Sequence, residues 1–215
     1  LHTDYTEGFT GAPRTMTAPR RYLDHNATTP PRPEVRDAVR AWLDAGFGNA
    51  SSIHHAGRAA RAAVDCARAQ LARFVGASPS EIVFTSGGSE ADALALAGVM
   101  HAEEKNKTPA RRHLVVSAIE HPAILRTSDA LAAQGFEVTC VAPRPDGVVA
   151  AADLLAAVRE DTKLVSLMLS NNETGALQPV REVAAALRPR GVLVHTDAVQ
   201  AAGKVALDVG ELGVD

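Results

Sequence analysis

A chain of 215 residues with 46% apolar side chains is long enough to bury a sizeable core, and it reads as one soluble globular domain or the larger part of one. Its formal net charge of −3, from basic and acidic residues scattered rather than massed, gives no electrostatic footprint for nucleic acid or an anionic membrane. Only two cysteines, Cys66 and Cys140, argue against a disulfide framework or a thiolate metal site, and they fit a reducing cytoplasm.

Residues 1–20, rich in Thr, Gly and Pro, lack the apolar core of a secretory signal. They read as a disordered leader or extension, with Met16 as a native start. No run in the chain approaches the roughly 18 apolar residues of a membrane span. Pro33, Val35, Val39, Trp42 and Leu43 predict a helix that starts on proline and ends at Gly46. A glycine-punctuated loop leads to about Gly57. Ala60, Ala63, Val64, Ala67, Leu71, Phe74 and Val75 then keep helical spacing until Gly76, a C-terminal cap. Its alanines predict close helix packing, and Arg58, Arg61, Arg68 and Arg73 read as its solvated face.

From Glu81 onward short β-type runs alternate with turn signals and helical stretches: Ile82–Thr85, Leu114–Ser117, Phe136–Val141, Leu164–Leu169 and Val192–Val194. Parallel strands need crossover helices, so the alternation predicts an α/β fold with a mainly parallel sheet between helices. Residues Lys105–Arg112 read as a polar surface loop.

Polar motifs follow four of these runs, where an open α/β sheet binds ligands. Ser86-Gly-Gly-Ser-Glu-Ala-Asp92 puts glycines and free helix-start amides together, a phosphate cradle in physical terms; the same turn also reads as a capping box of Ser89 with Asp92. It matches neither the P-loop nor the dinucleotide fingerprint. Asp197 follows an apolar strand, where an unpaired carboxylate is expensive to bury, so a cationic partner is expected; a protonated ring nitrogen of a cofactor, a helix cap or an arginine would each serve. His121 before Pro122 suits stacking on an aromatic cofactor, proton transfer or a structural role. Asn171 and Asn172 suit either a turn or donation to a phenolate oxygen. No His or Cys spacing resembles a zinc site, and no metal is expected.

Tyr22-Leu-Asp-His-Asn-Ala-Thr-Thr-Pro30, Gly48-Asn-Ala-Ser-Ser-Ile-His54, Phe84-Thr-Ser-Gly-Gly-Ser-Glu-Ala-Asp92, Glu120-His121, Asn171-Asn-Glu-Thr-Gly175 and His195-Thr-Asp-Ala-Val-Gln-Ala-Ala-Gly-Lys204, in this order and spacing, resemble the cysteine desulfurases of the class V aminotransferase group. The resemblance runs from about Arg21 to Asp215. It implies a fold-type I large domain that holds pyridoxal 5'-phosphate. Gly88 and Ser89 would hold the phosphate, His121 would stack on the ring, and Asn172 and Gln200 would bond near its phenolic oxygen. Asp197 would pair with the pyridinium nitrogen, and Asn26-Ala-Thr28 would lie near the substrate. The implied reaction takes sulfur from L-cysteine, giving L-alanine and an enzyme persulfide for a sulfur-acceptor protein serving iron–sulfur cluster or thio-cofactor assembly. A homodimer is implied as well.

The resemblance also divides the chain into the leader 1–20, a segment 21–47 contributing to a small domain, and an incomplete cofactor-binding domain 48–215. The Schiff-base lysine of the family's Ser-x-His-Lys motif and its persulfide cysteine match no position here: Lys204 resembles the lysine of a Gly-Lys pair, and Cys66 and Cys140 match neither role. Ser89 stands where many members have Thr, and Ala50 where Pro is frequent. Two further strands, expected after Asp215, would pair between the Val192 and Ile82 runs, so these residues alone are expected to be inactive and poorly stable. The alternatives are a selenocysteine lyase or another enzyme of the group, a non-catalytic dimerising protein, and a nucleotide-binding domain.

Overall fold

The computed structural model describes residues 21–102 and 111–215. The expected leader 1–20, and residues 103–110 with most of the expected polar loop, lie outside the described residues. Four parallel strands, β1 (His113–Ser117), β2 (Glu137–Val141), β3 (Thr162–Ser166) and β4 (Leu193–His195), form one sheet in the order β2-β1-β3-β4. The strand after β1 adds on one side and the next on the other. The carboxyl ends of β1 and β3 therefore flank a topological switch point, the place where open α/β sheets open a crevice.

Helices α1 (Pro33–Ala45) and α2 (His55–Val75) precede the sheet, and α3 (Gly88–His101), α4 (Pro122–Ala133), α5 (Ala151–Ala157), α6 (Val180–Leu187) and the short α7 (Val209–Leu212) surround it. Successive strand residues face opposite sides, so a strand covered on both faces is apolar throughout. Leu114, Val116 and Leu164 accordingly meet Leu96 and Met100 of α3 and Ile124 and Leu131 of α4. Val115, Val165 and Val194 point the other way, into a second cluster with Leu154 of α5 and Val180, Val183 and Leu187 of α6.

Two buried polar residues secure this layering. His113 is fully buried, its Nδ1 2.7 Å from Thr162 Oγ1 on β3 and its Nε2 2.8 Å from Thr139 Oγ1 on β2. Lys163, also buried, donates to the carbonyls of Met100 and Ala102, holding the C-terminal end of α3 against β3.

Sequence reading places four of its five β runs correctly, within two or three residues. Ile82–Thr85 is the exception: among the described residues no strand lies beside it, and a run without a ladder partner is extended chain rather than sheet. Residues 167–169 continue the extended path of β3, with Leu167 N–H donating to His195 O and Leu169 N–H to Asp197 O. α1 begins at Pro33 as expected, and α2 ends at Gly76 with φ of 73°.

The expectation of close packing along α2 is corrected, since only Gly57 and Ala72 of that helix are buried. The solvated arginine face holds at Arg58, Arg61 and Arg73, which are exposed, and is corrected at Arg68 alone. Arg68 is half-buried, lies 4.9 Å from the Phe84 ring centroid and donates to Ile82 O, because the extended 82–85 run leaves both a carbonyl and an aromatic face for it to cover.

Candidate active site at the strand ends

The motifs after β1, β3 and β4 sit at the carboxyl edge of the sheet, and the Ser86-Gly-Gly-Ser89 turn lies over the loop of Asp197. After β1 the chain turns through Ala118 and Ile119 and places Glu120 back inside, only 4% exposed. Its Oε1 accepts from the Ser117 hydroxyl at 2.6 Å and from Met168 N–H at 2.8 Å, which ties the ends of β1 and β3 together across the switch point. Its Oε2 has no partner, the one buried side-chain polar atom in that condition among the described residues. Burial pushes the carboxyl up to about 7, with the charges of Asp197 and Asp92 adding to it and the two hydrogen bonds opposing it.

His121 follows at the start of α4, where its Nδ1 accepts from Ala123 N–H at 3.2 Å. Capping by Nδ1 assigns the remaining proton of a neutral ring to Nε2. The two asparagines of the next motif separate cleanly. Asn171 is buried and builds the turn, its Oδ1 accepting from Glu173 N–H, Thr174 N–H and the Thr174 hydroxyl, its Nδ2 donating to Ile119 O at 3.1 Å. Asn172 contributes its carbonyl, which accepts from Asn26 Nδ2 at 3.1 Å.

At the end of β4, Asp197 is buried and its Oδ1 accepts from Val199 N–H at 2.9 Å. Among the described residues no lysine or arginine pairs with it. Asp92 is buried nearby, its Oδ1 3.8 Å from His195 Nε2, while His195 Nδ1 lies 2.9 Å from the Ser166 hydroxyl. Burial, reinforced by Asp197 and offset by His121, lifts Asp92 to about 6, and burial lowers His195 below the usual imidazole range. Three acids, Asp92, Glu120 and Asp197, thus crowd one buried region that is short of positive charge. A cationic group fits there, as does a pyridinium nitrogen beside Asp197.

The expected capping box of Ser89 with Asp92 does not form. The helix starts two residues earlier, at Gly88 with Gly87 as its cap, and the box-like contacts are made by Ser86, whose N–H and hydroxyl both donate to Glu90 Oε2. Asp92 is drawn inward because it lies on the stripe of Leu96 and Met100, at helical spacing of four. The first α3 amide with an intrahelical acceptor is Ala91 N–H, on Gly87 O. The amides of Gly88, Ser89 and Glu90 therefore remain free at the positive end of a 14-residue helix. A Cβ at Gly87 would meet nothing within 4 Å, and one at Gly88 would lie 3.4 Å from Val199 Cγ2, which places this turn over the Asp197 loop.

Gln200 closes the arrangement. Its Nε2 donates to Asn26 O at 3.1 Å, and its Oε1 accepts from Lys204 Nζ at 2.6 Å. A cavity of about 220 Å³ beside this clasp is bordered by Asn26, Ser170, Asn171, Gln200 and Lys204. Glu120 and Lys204 carried no assigned site role in the sequence reading, and Asp92 only that of a cap partner. For Asp92 the signal was present, an acid in register with two buried apolar residues of one helix. Among the described residues no group of three or more His, Cys, Asp or Glu side chains is arranged to hold a metal, and no helix is long and apolar enough to cross a membrane.

Residues 21–215 match the Aminotransferase class-V family. The chain is 46% identical over 197 residues to the cysteine desulfurase IscS of Pectobacterium carotovorum subsp. carotovorum (strain PC1), covering 90% of this chain and 48% of that protein. It is 43% identical over 195 residues to the cysteine desulfurase IscS of Dictyoglomus turgidum (strain DSM 6724 / Z-1310), again covering 90% and 48%. The chain thus spans about half the length of the curated relatives it matches. Among solved structures, a NifS-like protein superposes with a TM-score of 0.85 at 38% identity, covering 91% of this chain and 53% of that one. SspA in complex with cysteine gives a TM-score of 0.85 at 34% identity, covering 91% and 55%.

Proposed function

The chain belongs to the aminotransferase class-V family, and on that premise we propose that its protein is a pyridoxal-phosphate-dependent cysteine desulfurase, converting L-cysteine to L-alanine and passing the sulfur on through an enzyme persulfide. The observation that carries the cofactor reading is Asp197: a buried carboxylate with no lysine or arginine partner among the described residues, on the edge where the first amides of α3 stand free. Enzymes of this class use pyridoxal phosphate, and both halves of that molecule, an anionic phosphate and a basic ring nitrogen, find complementary groups here. The cysteine bound to SspA and the names of the IscS relatives support the substrate and the reaction.

When bound, pyridoxal phosphate supplies an electron sink for negative charge formed at a substrate Cα. In this reading Asp197 holds the proton on the ring nitrogen by ion pairing, and the amides of Gly88 and Ser89, with the Ser89 hydroxyl, bind the phosphate. His121 presents its ring with Nδ1 already committed to the helix cap. Asn172 and Gln200 supply amide donors on the side of the phenolic oxygen. Glu120, lifted to about 7 by burial, reduces the negative charge that the acid cluster carries around Asp197.

We further assign residues 21–47 to a small domain and 48–215 to the cofactor-binding domain. The exposed apolar side chains Val35, Val39 and Leu43 of α1 support a covering surface that the described residues do not supply. A homodimer, a sulfur-acceptor protein serving iron–sulfur cluster or thio-cofactor assembly, and a cytoplasmic location complete the proposal. The test is an assay of the full-length protein with L-cysteine and a thiol. Equimolar alanine and sulfide are expected; release of neither, from protein loaded with the cofactor, overturns the activity, and a marked preference for selenocysteine redirects it.

A further inference from the structure

Gln200 and Lys204 lie four residues apart on the helical turns after Asp197, so their side chains share one face. Lys204 Nζ donates to Gln200 Oε1 at 2.6 Å and to Asn26 Oδ1 at 3.3 Å. Gln200 Nε2 donates to Asn26 O, and Asn26 Nδ2 donates to Asn172 O, both at 3.1 Å. An ammonium can only donate and a backbone carbonyl can only accept. These partners therefore fix both amides. Turning Gln200 over would set its NH2 against the lysine and its oxygen against the Asn26 carbonyl, and turning Asn26 over would create the same two repulsions.

We propose that Lys204 is a positioning residue: it locks the Gln200 amide with its NH2 toward the site, making Gln200 an obligatory donor, and pins the Asn26 turn against the ends of β3 and β4. The inference rests on the functional reading above, in which that donor serves the phenolic oxygen of the cofactor. One N–H of Gln200 is used on Asn26 O, and the other remains for the ligand. Without the lysine only the contact with Asn26 O still orders the amide, and in the turned-over population its oxygen meets the phenolic oxygen as a second acceptor. The same loss leaves the Asn26 side chain held only through its Nδ2 on Asn172 O, so one lysine couples the entry turn to the orientation of the donor.

The test follows the visible absorption of the cofactor bound to the full-length protein as a function of pH, in wild type, K204M, K204R, Q200A and K204M/Q200A. A donor to the phenolic oxygen favours its deprotonated form, so losing the donor raises the titration midpoint. K204M and Q200A are each expected to raise it by about one pH unit, the tenfold effect of one hydrogen bond to a charged group. K204R is expected to titrate like wild type. The double variant is expected to shift no further than either single one, whereas a purely electrostatic effect of the lysine would add to that of Q200A. A K204M midpoint equal to wild type, or additive shifts in the double variant, overturns the lock while leaving the functional reading intact. Wild-type protein that binds no pyridoxal phosphate overturns the reading and the lock together.

Discussion

Met168 N–H donates to Glu120 Oε1 at 2.8 Å, so a side chain from the turn after β1 completes the backbone bonding of the chain leaving β3. The other oxygen of that carboxyl is buried without a partner. One residue therefore joins the two strands of the switch point and carries an ionisation that burial strongly disfavours.

The first prediction follows from the sign of that ionisation. Glu120 is lifted from 4.5 to about 7, so the fold favours its neutral form. The resulting stability is fully present below pH 4.5 and is lost as pH rises through about 7. E120Q is neutral throughout and keeps an acceptor for Met168 N–H. Its stability relative to wild type should grow by roughly 3 kcal/mol between pH 4.5 and 8, the equivalent of the displaced ionisation. Urea unfolding of both proteins across that range measures it, and a constant difference would show that Glu120 ionises as freely as in the unfolded chain.

The second prediction separates neighbours that sequence alone left equivalent. N171A removes the acceptor of three hydrogen bonds and the donor to Ile119 O, and should destabilise the protein by about 2–4 kcal/mol. N172A keeps the carbonyl that Asn26 uses and should change stability by less than about 0.5 kcal/mol, while weakening cofactor binding. Thermal unfolding and cofactor titration of the pair give the two readouts.

How much of this was legible beforehand depended on whether a signal was local. The strand around Leu114 could be read because both its faces are buried and its central residues Leu114, Val115 and Val116 are accordingly apolar. Gly76 could be read as a cap because a left-handed residue favours glycine. Ile82–Thr85 is extended without a ladder, because a strand is made by its neighbour and none lies beside it among the described residues. Asp92 looked like a cap partner, since a three-residue spacing from Ser89 suits a capping box, yet the start of α3 at Gly88 turned it inward. The clasp of Asn26, Gln200 and Lys204 joins residues more than 170 positions apart, and no periodicity can announce that contact.

A third prediction concerns the opposite edge of the sheet. Burial first, then the charge of Arg159, lowers His113 below 6.5, with Asp161 and Glu137 opposing. Its neutral ring therefore stabilises the fold above pH 6.5, and that contribution is lost as pH falls from 6.5 toward the depressed value in the fold. H113N should be about 1–3 kcal/mol less stable than wild type at pH 7.5, through the broken threonine bridge. The gap should narrow toward pH 5.5 in the same unfolding assay; a gap that stays level would contradict a buried neutral imidazole.

The central claim is that Asp197 awaits the ring nitrogen of pyridoxal phosphate, and the most direct test is the affinity of the full-length protein for that cofactor in wild type and D197N. Asparagine keeps the acceptor for Val199 N–H and removes only the charge. The account predicts that D197N binds about 100-fold more weakly, with an altered visible spectrum, as expected for the loss of a desolvated charge-assisted bond of roughly 3 kcal/mol. Equal affinity and an unchanged spectrum in D197N would contradict it.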